Sequence, residues 1–358
     1  MGKKVLTLAD PVIDSHPGYA ATQSILMQHQ SGREWFLQNY FDIFSLYDEP
    51  TNALLSRFCP FEQLRFSAVL HGQPENIFCP PIKVYSLPRY AVNENKYSII
   101  ELVRYFIDKG ACLFLYVERL HLMAHNQKTP HTHEIFVYGY DDDEERFYIA
   151  DYFRGSRYSR TTCSYDEFLN SYLYSSDGRS EDRGAFYIFW QADKINILHY
   201  DDSFRYNFST EKLKERIPYY LNYKKYDLNY RPIIHDIKKD TYVMRWGNET
   251  LKCLGKYIIT VMEKSEYVDT RQTAMQVDHV RVLIEMLLFL QEKLTAVDEI
   301  FISEAKDIQN RLSKIQNITI KYNIRMKYSS AMAHEVEELI STVLIKEEML
   351  LNRLLEVL

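Results

Sequence analysis

The hydrophobic pattern of the chain changes near residue 245. Before that point, short continuous apolar runs alternate with turn-forming residues, which is typical of buried strands. After it the sequence contains no proline, and apolar residues recur at spacings of three and four, which is typical of helices. The turn-forming stretch Trp246-Gly247-Asn248 marks the change. The pattern therefore predicts one domain over residues 1–245 and a helical domain over residues 246–358.

The apolar runs of the first part predict strands with helices between them. Two of these runs are joined by an acidic turn at residues 141–145, which predicts an antiparallel hairpin. The fold class that follows is α+β, a domain with an antiparallel sheet and then a helical domain. The first helix is expected to end at Gly32. The predicted strands cover residues 111–118, 134–140, 146–153 and 184–190, and the predicted helices cover residues 20–30, 98–109, a short stretch opened by the capping box Ser164–Glu167, and residues 249–266, 268–303 and 329–358.

The last predicted helix carries an apolar seam with spacings of three and four. Such a seam is typical of a helix bundle or a coiled coil, so the C-terminal helices are expected to associate, and a homo-oligomer formed through them is one form this can take. Glu347 interrupts the seam. The seam consists of Val336, Ile340, Val343, Leu350, Leu354 and Val357.

Composition and charge exclude several classes of protein. Apolar residues make up 46% of the chain and charged residues 26%, which is enough to build a core and argues against long disorder. The net charge of −6 offers no overall attraction for nucleic acid. No apolar run reaches the roughly 18 residues of a membrane span, and the N-terminus lacks the apolar segment of a secretory signal. We therefore expect neither nucleic acid nor membrane as a partner.

The cysteines indicate a reducing compartment. There are five, an odd number, and they are widely spaced without any C-x-x-C pair. A cytoplasmic location is therefore expected, without a zinc-binding pair of cysteines. No motif indicates a cofactor, so neither a cofactor nor a metal is expected.

The most specific stretch is the predicted hairpin. His133 begins its first strand and Asp151 ends its second. Because the start of one strand and the end of the next lie side by side in an antiparallel hairpin, the two side chains are expected to lie within hydrogen-bonding reach. An aspartate in that position fixes the tautomer of an imidazole that acts as a general base. An ordinary structural hydrogen bond between the two residues is the alternative.

The hairpin residues resemble a known family. The stretch H-E-I-F-V-Y-G-Y-D, followed by F-Y-I-A-D, is similar to the His–Asp half of papain-like enzymes, among them the double-glycine peptidases and, more closely, proteins similar to butirosin biosynthesis protein H. The resemblance implies a papain-like fold and a bacterial natural-product gene cluster for peptides, polyketides or aminoglycosides. It also implies acyl transfer from an acyl or peptidyl carrier protein, with His133 and Asp151 as catalytic residues.

The nucleophile of such an enzyme is missing from its expected place. A papain-like plan puts a cysteine at the N-terminus of the first core helix, where the helix dipole and the histidine lower its pKa. Here that place holds His16 and Tyr19, which are expected to line the cleft instead. Cys79 is the remaining candidate nucleophile. His131 lies two residues before His133, so both would face one side of a strand, as metal ligands can, but no third ligand is evident nearby.

Two functions remain open at this point. One is a papain-like acyltransferase or thioester-processing enzyme that acts on a carrier-bound acyl group. The other is a catalytically inactive scaffold of the same fold that binds a carrier protein or another biosynthetic partner. Reactivity of a thiol near neutral pH separates the two, since an active thiolate reacts there and a buried thiol does not.

Overall fold

The computed structural model describes residues 2–48, 50–58, 79–94, 98–153, 157–175, 194–222 and 242–358. Two compact units make up the chain. Unit one comprises Met1–Arg33 and His71–Arg205, and unit two comprises Glu34–Leu70 and Tyr206–Leu358. Sheet dominates the N-terminal half and helix the C-terminal half, so the predicted α+β class is confirmed. The predicted strand at residues 184–190 lies outside the described residues.

The strands and the helices of the described chain are numbered separately, each in chain order. The strands are β1 (Lys3–Val5), β2 (Ile43–Asp48), β3 (Ala53–Phe58), β4 (Ile82–Pro88), β5 (Cys112–Glu118), β6 (Thr132–Asp141), β7 (Arg146–Phe153), β8 (Arg157–Ser164), β9 (Lys194–Tyr200) and β10 (Tyr242–Trp246). The helices are α1 (Pro17–Leu26), α2 (Gln30–Asn39), α3 (Arg89–Glu94), α4 (Ile99–Asp108), α5 (Tyr165–Leu173), α6 (Thr210–Leu221), α7 (Glu249–Glu263), α8 (Thr270–Gln291), α9 (Glu299–Arg325) and α10 (Ser330–Val357).

Unit one is built on an antiparallel sheet in the order β4-β9-β5-β6-β7-β8, with β1 added against the far part of β6. Side chains alternate between the two faces along each strand. One face carries Leu115, Ile135 and Ile149, which pack with the apolar stripes of α4 and α5. Helix α5 begins at the predicted capping box, in which Ser164 and Glu167 each accept from the other's backbone N–H.

The opposite face of this sheet meets α1 and the segment before it. Tyr152 follows Asp151 on β7 and therefore points to the other face, where its hydroxyl donates to the carbonyl of Asp14. Helix α1 begins at Pro17, with His16 as its N-cap, and ends at Leu26. The prediction that this helix ends at Gly32 is therefore wrong. Gly32 lies inside α2, and a Cβ there would come within 2.5 Å of the Leu26 carbonyl oxygen, so the position requires glycine. It is a residue of close approach and not a helix stop.

Unit two combines a three-stranded antiparallel sheet, ordered β10-β2-β3, with the helices α6 to α10. Strand β10 pairs with β2, and β2 pairs with β3, so residues 43–58 belong to the same unit as the C-terminal helices. This division of the chain into units differs from the predicted boundary at residue 245. The C-terminal part holds four long helices among its described residues rather than about three, because Asp298 caps an additional helix, α9, at Ile300 N.

The predicted seam of α10 is used inside unit two. Ile340 packs over Gly255 of α7, and α10 also lies along α9 and α6. These contacts bury the seam within the chain, so an oligomer formed through it finds no support. Among the described helices, none is both long and apolar enough to cross a membrane. The buried seam residues are Val336, Ile340, Val343, Leu350 and Leu354.

Candidate active site

The predicted hairpin brings His133 and Asp151 together. Strands β6 and β7 pair antiparallel, as predicted, with Phe136 opposite Ala150 and a register shift between Val137 and Gly139. His133 Nδ1 lies 3.5 Å from Asp151 Oδ2. The Asp151 side chain is 1% exposed and that of His133 is 24% exposed. The carboxylate is therefore sealed behind an imidazole that solvent or a substrate can reach.

A loop between β5 and β6 adds two further side chains to the pair. It runs through two short 3₁₀ turns, Arg119–His121 and Met123–His125. Arg119 Nη2 donates to Asp151 Oδ2 at 2.8 Å, and buried His125 places Nε2 3.3 Å from the same oxygen. One buried carboxylate is therefore contacted by one guanidinium and two imidazoles.

Glu118 holds this loop in shape from the end of β5. Its buried carboxylate accepts from the backbone N–H groups of Leu120 (3.2 Å) and His131, and from the Thr132 hydroxyl at 3.4 Å. The loop thus begins and ends on one carboxylate. This closure fixes Arg119, which follows Glu118 directly, above the hairpin.

His133 Nδ1 has more neighbours than one protonation state can satisfy. Arg119 Nη2 lies 2.5 Å away and can only donate, which requires a lone pair on Nδ1. The carbonyl oxygen of Glu134 at 3.1 Å, Glu134 Oε2 at 3.3 Å and Asp151 Oδ2 at 3.5 Å can only accept, which requires a proton on Nδ1. Nδ1 can therefore either accept from Arg119 or donate to one of these oxygens, depending on whether it carries a proton.

The charges around the imidazole set its protonation. Burial lowers the pKa of His133, but the carboxylates of Glu134 and Asp151 outweigh burial and leave that pKa raised above its ordinary value of 6.5. For Asp151, burial alone would raise the pKa, but His133, His125 and Arg119 together hold it well below its ordinary range. The aspartate is therefore ionised throughout the physiological range, and the histidine titrates above pH 6.5.

Cys79 lies at the other end of the sheet from His133. It precedes β4, whose first residue Ile82 pairs with Tyr200, whereas His133 is level with a position two residues before Ile195 on β9. That span is roughly seven residues, or about 23 Å along the strands. Burial also raises the pKa of the Cys79 thiol well above its ordinary value. The structure therefore does not bring Cys79 to the pair.

The other described cysteines offer no replacement. Cys112 and Cys163 are buried in β5 and β8, where burial raises the pKa of both thiols. Cys253 is a buried residue of unit two, and Cys59 lies outside the described residues. None of the described thiols of unit one therefore has both the position and the acidity of a papain-like nucleophile.

The structure brings His131 to the pair and leaves the two residues of α1 apart. The rings of His131 and His133 stack with their centroids 5.8 Å apart. His16 accepts from Gly18 N at 3.3 Å as the cap of α1, and its ring contacts that of Tyr19 at 5.2 Å. Helix α1 packs on the face that Tyr152 occupies, while His133 and Asp151 point to the face with α4 and α5. His16 and Tyr19 are thus on the opposite face of the sheet.

Arg119 and His125 were not singled out from the sequence, although a signal for them exists. The stretch E-R-L-H-L-M-A-H follows directly after the apolar run of β5. Because β5 and β6 pair antiparallel, the end of β5 and the beginning of β6 lie at one edge of the sheet. Polar residues that follow β5 are therefore adjacent to His133.

No protein-family model matches the sequence, and no curated protein matches it either. The resemblance to papain-like proteins therefore stays a prediction from the sequence. Among the residues that the structure describes, no group of three or more histidine, cysteine, aspartate or glutamate side chains is arranged to hold a metal ion.

Proposed function

We propose that the protein is a papain-like acyl-transfer enzyme that uses His133 as a general base without a covalent acyl-enzyme intermediate. Its substrate would be an acyl group held as a thioester on a carrier protein, in bacterial peptide or polyketide biosynthesis. The observation that supports this is the partly exposed imidazole of His133, whose Nδ1 lies 3.5 Å from the buried carboxylate of Asp151. Such a pair can take up and return a proton in a fixed orientation.

The reaction needs only one base. His133 Nε2 removes a proton from an incoming amine as its nitrogen attacks the thioester carbonyl carbon. A carbon–nitrogen bond forms, the carbon–sulfur bond breaks, and the same proton passes from the imidazolium to the departing thiolate. Asp151 accepts from Nδ1–H and stabilises the imidazolium between the two proton transfers. For this, Arg119 has to leave Nδ1 while keeping its bond to Asp151.

Amide formation from a short acyl pantetheine thioester and a primary amine tests the proposal. We expect His133→Ala to slow the reaction by about 10²–10⁴-fold, the usual contribution of a general base. Asp151→Asn should slow it as well, since the tautomer is then no longer fixed. His199→Ala, a histidine at the far end of the same sheet, is the matched control and should retain full activity. Equal rates in the His133 and His199 variants would overturn the proposal.

The absence of a covalent intermediate has its own test. Cys79→Ala should leave the rate unchanged, because Cys79 is remote from His133 and its thiol has a raised pKa. Iodoacetamide near pH 7 should likewise leave Cys79 of the folded protein unmodified. Loss of activity in Cys79→Ala with the fold intact would mean that a thiol enzyme operates by another route.

A binding scaffold is the second candidate function, and the position of Arg119 favours it. Its guanidinium donates to His133 Nδ1 at 2.5 Å and so blocks the bond from Nδ1–H to Asp151 that a general base uses. If this arrangement persists, the cluster is structural. Binding of a phosphopantetheinylated carrier protein that is unchanged in His133→Ala, with no acyl transfer by either protein, would establish the scaffold.

A further inference from the structure

A buried carboxylate interrupts the apolar seam of α10 in unit two. The Glu347 side chain is 1% exposed. Its Oε1 accepts from the Tyr220 hydroxyl of α6 at 2.9 Å, while its buried Oε2 has no hydrogen-bond partner among the described residues. An ionised carboxylate in such surroundings is costly, because neither solvent nor a cation compensates its charge. The seam would tolerate Glu347 far better in the protonated form.

His279 of α8 supplies the second half of the cluster. It is buried, its Nε2 donates to the carbonyl of Phe41 at 2.8 Å, and its ring stacks on that of Tyr220 with centroids 5.2 Å apart. In the neutral ring the proton is therefore on Nε2 and the lone pair is on Nδ1. Nδ1 lies 3.8 Å from Glu347 Oε1. A lone pair and a carboxyl group thus face each other in the interior.

The other charged groups near this cluster are paired elsewhere. Asp42 forms an ion pair with Arg216 of α6, one turn before Tyr220. On α9, Asp307 pairs with Lys346 and Arg311 near the surface. The buried titratable groups of α7 are Cys253 and Tyr257, and neither carries a positive charge. The polar groups that contact Glu347 within the described chain are therefore the Tyr220 hydroxyl and the His279 imidazole.

We propose that Glu347 and His279 form a one-proton binding site, in which the proton that His279 carries in the unfolded chain is held by the Glu347 carboxyl in the folded chain. The distance of 3.8 Å lets a modest rotation bring Glu347 O–H to Nδ1 as a hydrogen bond. The site then contains no net charge. Tyr220 and the Phe41 carbonyl keep the two partners oriented.

The titration of the two groups agrees with this geometry. Burial raises the pKa of Glu347 from 4.5 to about 7, although the Tyr220 hydrogen bond lowers it in part. Burial lowers the pKa of His279 from 6.5 to about 4, although the Phe41 carbonyl raises it in part. Between about pH 4.5 and 6.5 the unfolded chain has its proton on His279 and the folded chain has it on Glu347. The proton count of the pair is equal in both states.

Because the pair binds the same number of protons in both states, it adds no pH dependence to the stability of the wild-type protein in this range. A raised carboxyl pKa alone makes stability fall as the pH rises, because the folded state then binds the extra proton. A lowered histidine pKa alone makes stability rise with pH, because the unfolded state then binds it. With both residues present the two slopes cancel between about pH 4.5 and 6.5. Removing either residue exposes the slope of the other.

Urea unfolding of the full chain at a series of pH values tests the site. Trp35 and Trp246 belong to unit two and report on it in a Trp190→Phe background, since the chain has three tryptophans. Relative to the wild type, we expect the folding constant of Glu347→Gln to rise about tenfold per pH unit between about pH 4.5 and 6.5. The folding constant of His279→Gln, whose amide can still donate to the Phe41 carbonyl, should fall about tenfold per pH unit over the same range.

Controls and contrary outcomes are available for this experiment. Glu348→Gln changes the exposed neighbour on α10 and should give a profile parallel to the wild type. A parallel profile for Glu347→Gln would overturn the proposal. If His279→Gln does not fold, a ¹³C NMR titration of the Glu347 carboxyl in the wild-type protein decides the question. A midpoint near 7 supports the site, and a midpoint near 4.5 refutes it.

Discussion

The guanidinium of Arg119 lies 2.5 Å from Nδ1 of His133, the atom that would donate to Asp151 in a working His–Asp pair. The same Nη2 donates to Asp151 at 2.8 Å. Arg119 thus bridges two groups that catalysis would join directly. If the Arg119 guanidinium leaves Nδ1 when the imidazole is protonated, His133 can act as a general base. If it stays, the cluster is purely structural.

The pKa of His133 reports on this balance. It should lie above 6.5 in the folded protein, because the carboxylates of Glu134 and Asp151 outweigh burial. Arg119 lowers this pKa, so Arg119→Met should raise it further, and Asp151→Asn should lower it. NMR titration of the imidazole protons measures the shifts.

Lys128→Met is the matched control for Arg119→Met. It removes an equal charge from an exposed position of the same loop and should leave the His133 titration unchanged, since surface charges are screened. If Arg119→Met lowered the pKa of His133, the guanidinium would have to be stabilising the protonated ring through the carboxylates. The proposed opposition between Arg119 and the imidazolium would then be incorrect.

Asp151 should carry a large part of the stability of unit one. Asp151→Asn removes the charge that Arg119 needs in a buried position, and breaking such a pair costs about 3–5 kcal/mol. The pKa of Asp151 is depressed in the folded state. Its stabilisation is therefore present above its ordinary pKa of 3.8 and is lost as the pH falls toward its folded pKa. Urea unfolding at pH 7 and at pH 3 measures both effects.

Asp10→Asn provides the comparison for Asp151→Asn. The Asp10 side chain is 98% exposed, although it lies 3.4 Å from Arg160, and its replacement should change stability by no more than about 0.5 kcal/mol. Similar effects of the two substitutions at pH 7 would show that the Asp151 cluster contributes no more than a surface pair does.

Local signals in the sequence predicted much of unit one. The hairpin of β6 and β7, helix α4 behind its Ser98 cap and helix α5 behind its capping box are confirmed, because each depends on residues close in sequence. The prediction that a helix ends at Gly32 is wrong because the Leu26 carbonyl that requires glycine there comes close only through the turn between α1 and α2. The pairing of β10 with β2 joins segments about 200 residues apart, which no local pattern encodes.

The candidate site was predicted only in part, for a similar reason. His133 and Asp151 belong to one hairpin, so their proximity follows from strand pairing alone. Arg119 and His125 reach Asp151 through a loop whose course depends on the hydrogen bonds of Glu118. The segment before α1 lies on the other face of the sheet, where the Tyr152 hydroxyl donates to the carbonyl of Asp14. Strand pairing places this loop near His133, but neither the course of the loop nor the position of α1 follows from residue spacing.

Gly32→Ala should destabilise the protein even though it improves helix propensity. Alanine within a helix is favoured over glycine by about 1 kcal/mol. The new Cβ would, however, come within 2.5 Å of the Leu26 carbonyl oxygen, which is backbone and cannot rotate away. Overpacking of this kind costs about 1–3 kcal/mol, so we expect a net loss in urea unfolding. The Cβ of Gly255→Ala would meet only side-chain carbons of Ile340, the nearest at 3.3 Å, so this substitution should cost less stability.

Ile340→Asp tests whether the seam of α10 holds unit two together. The side chain is buried over Gly255 of α7, so an aspartate there would place a charge among apolar atoms without a cation. We expect a loss of several kcal/mol, in the upper range for single substitutions. Ile345→Asp, on the same helix but 59% exposed, should change stability by no more than about 0.5 kcal/mol. Urea unfolding in the Trp190→Phe background, followed by the fluorescence of Trp35 and Trp246, compares the two. Equal losses would mean that helix propensity and net charge dominate, and equal tolerance would mean that α10 contributes little to the stability of unit two.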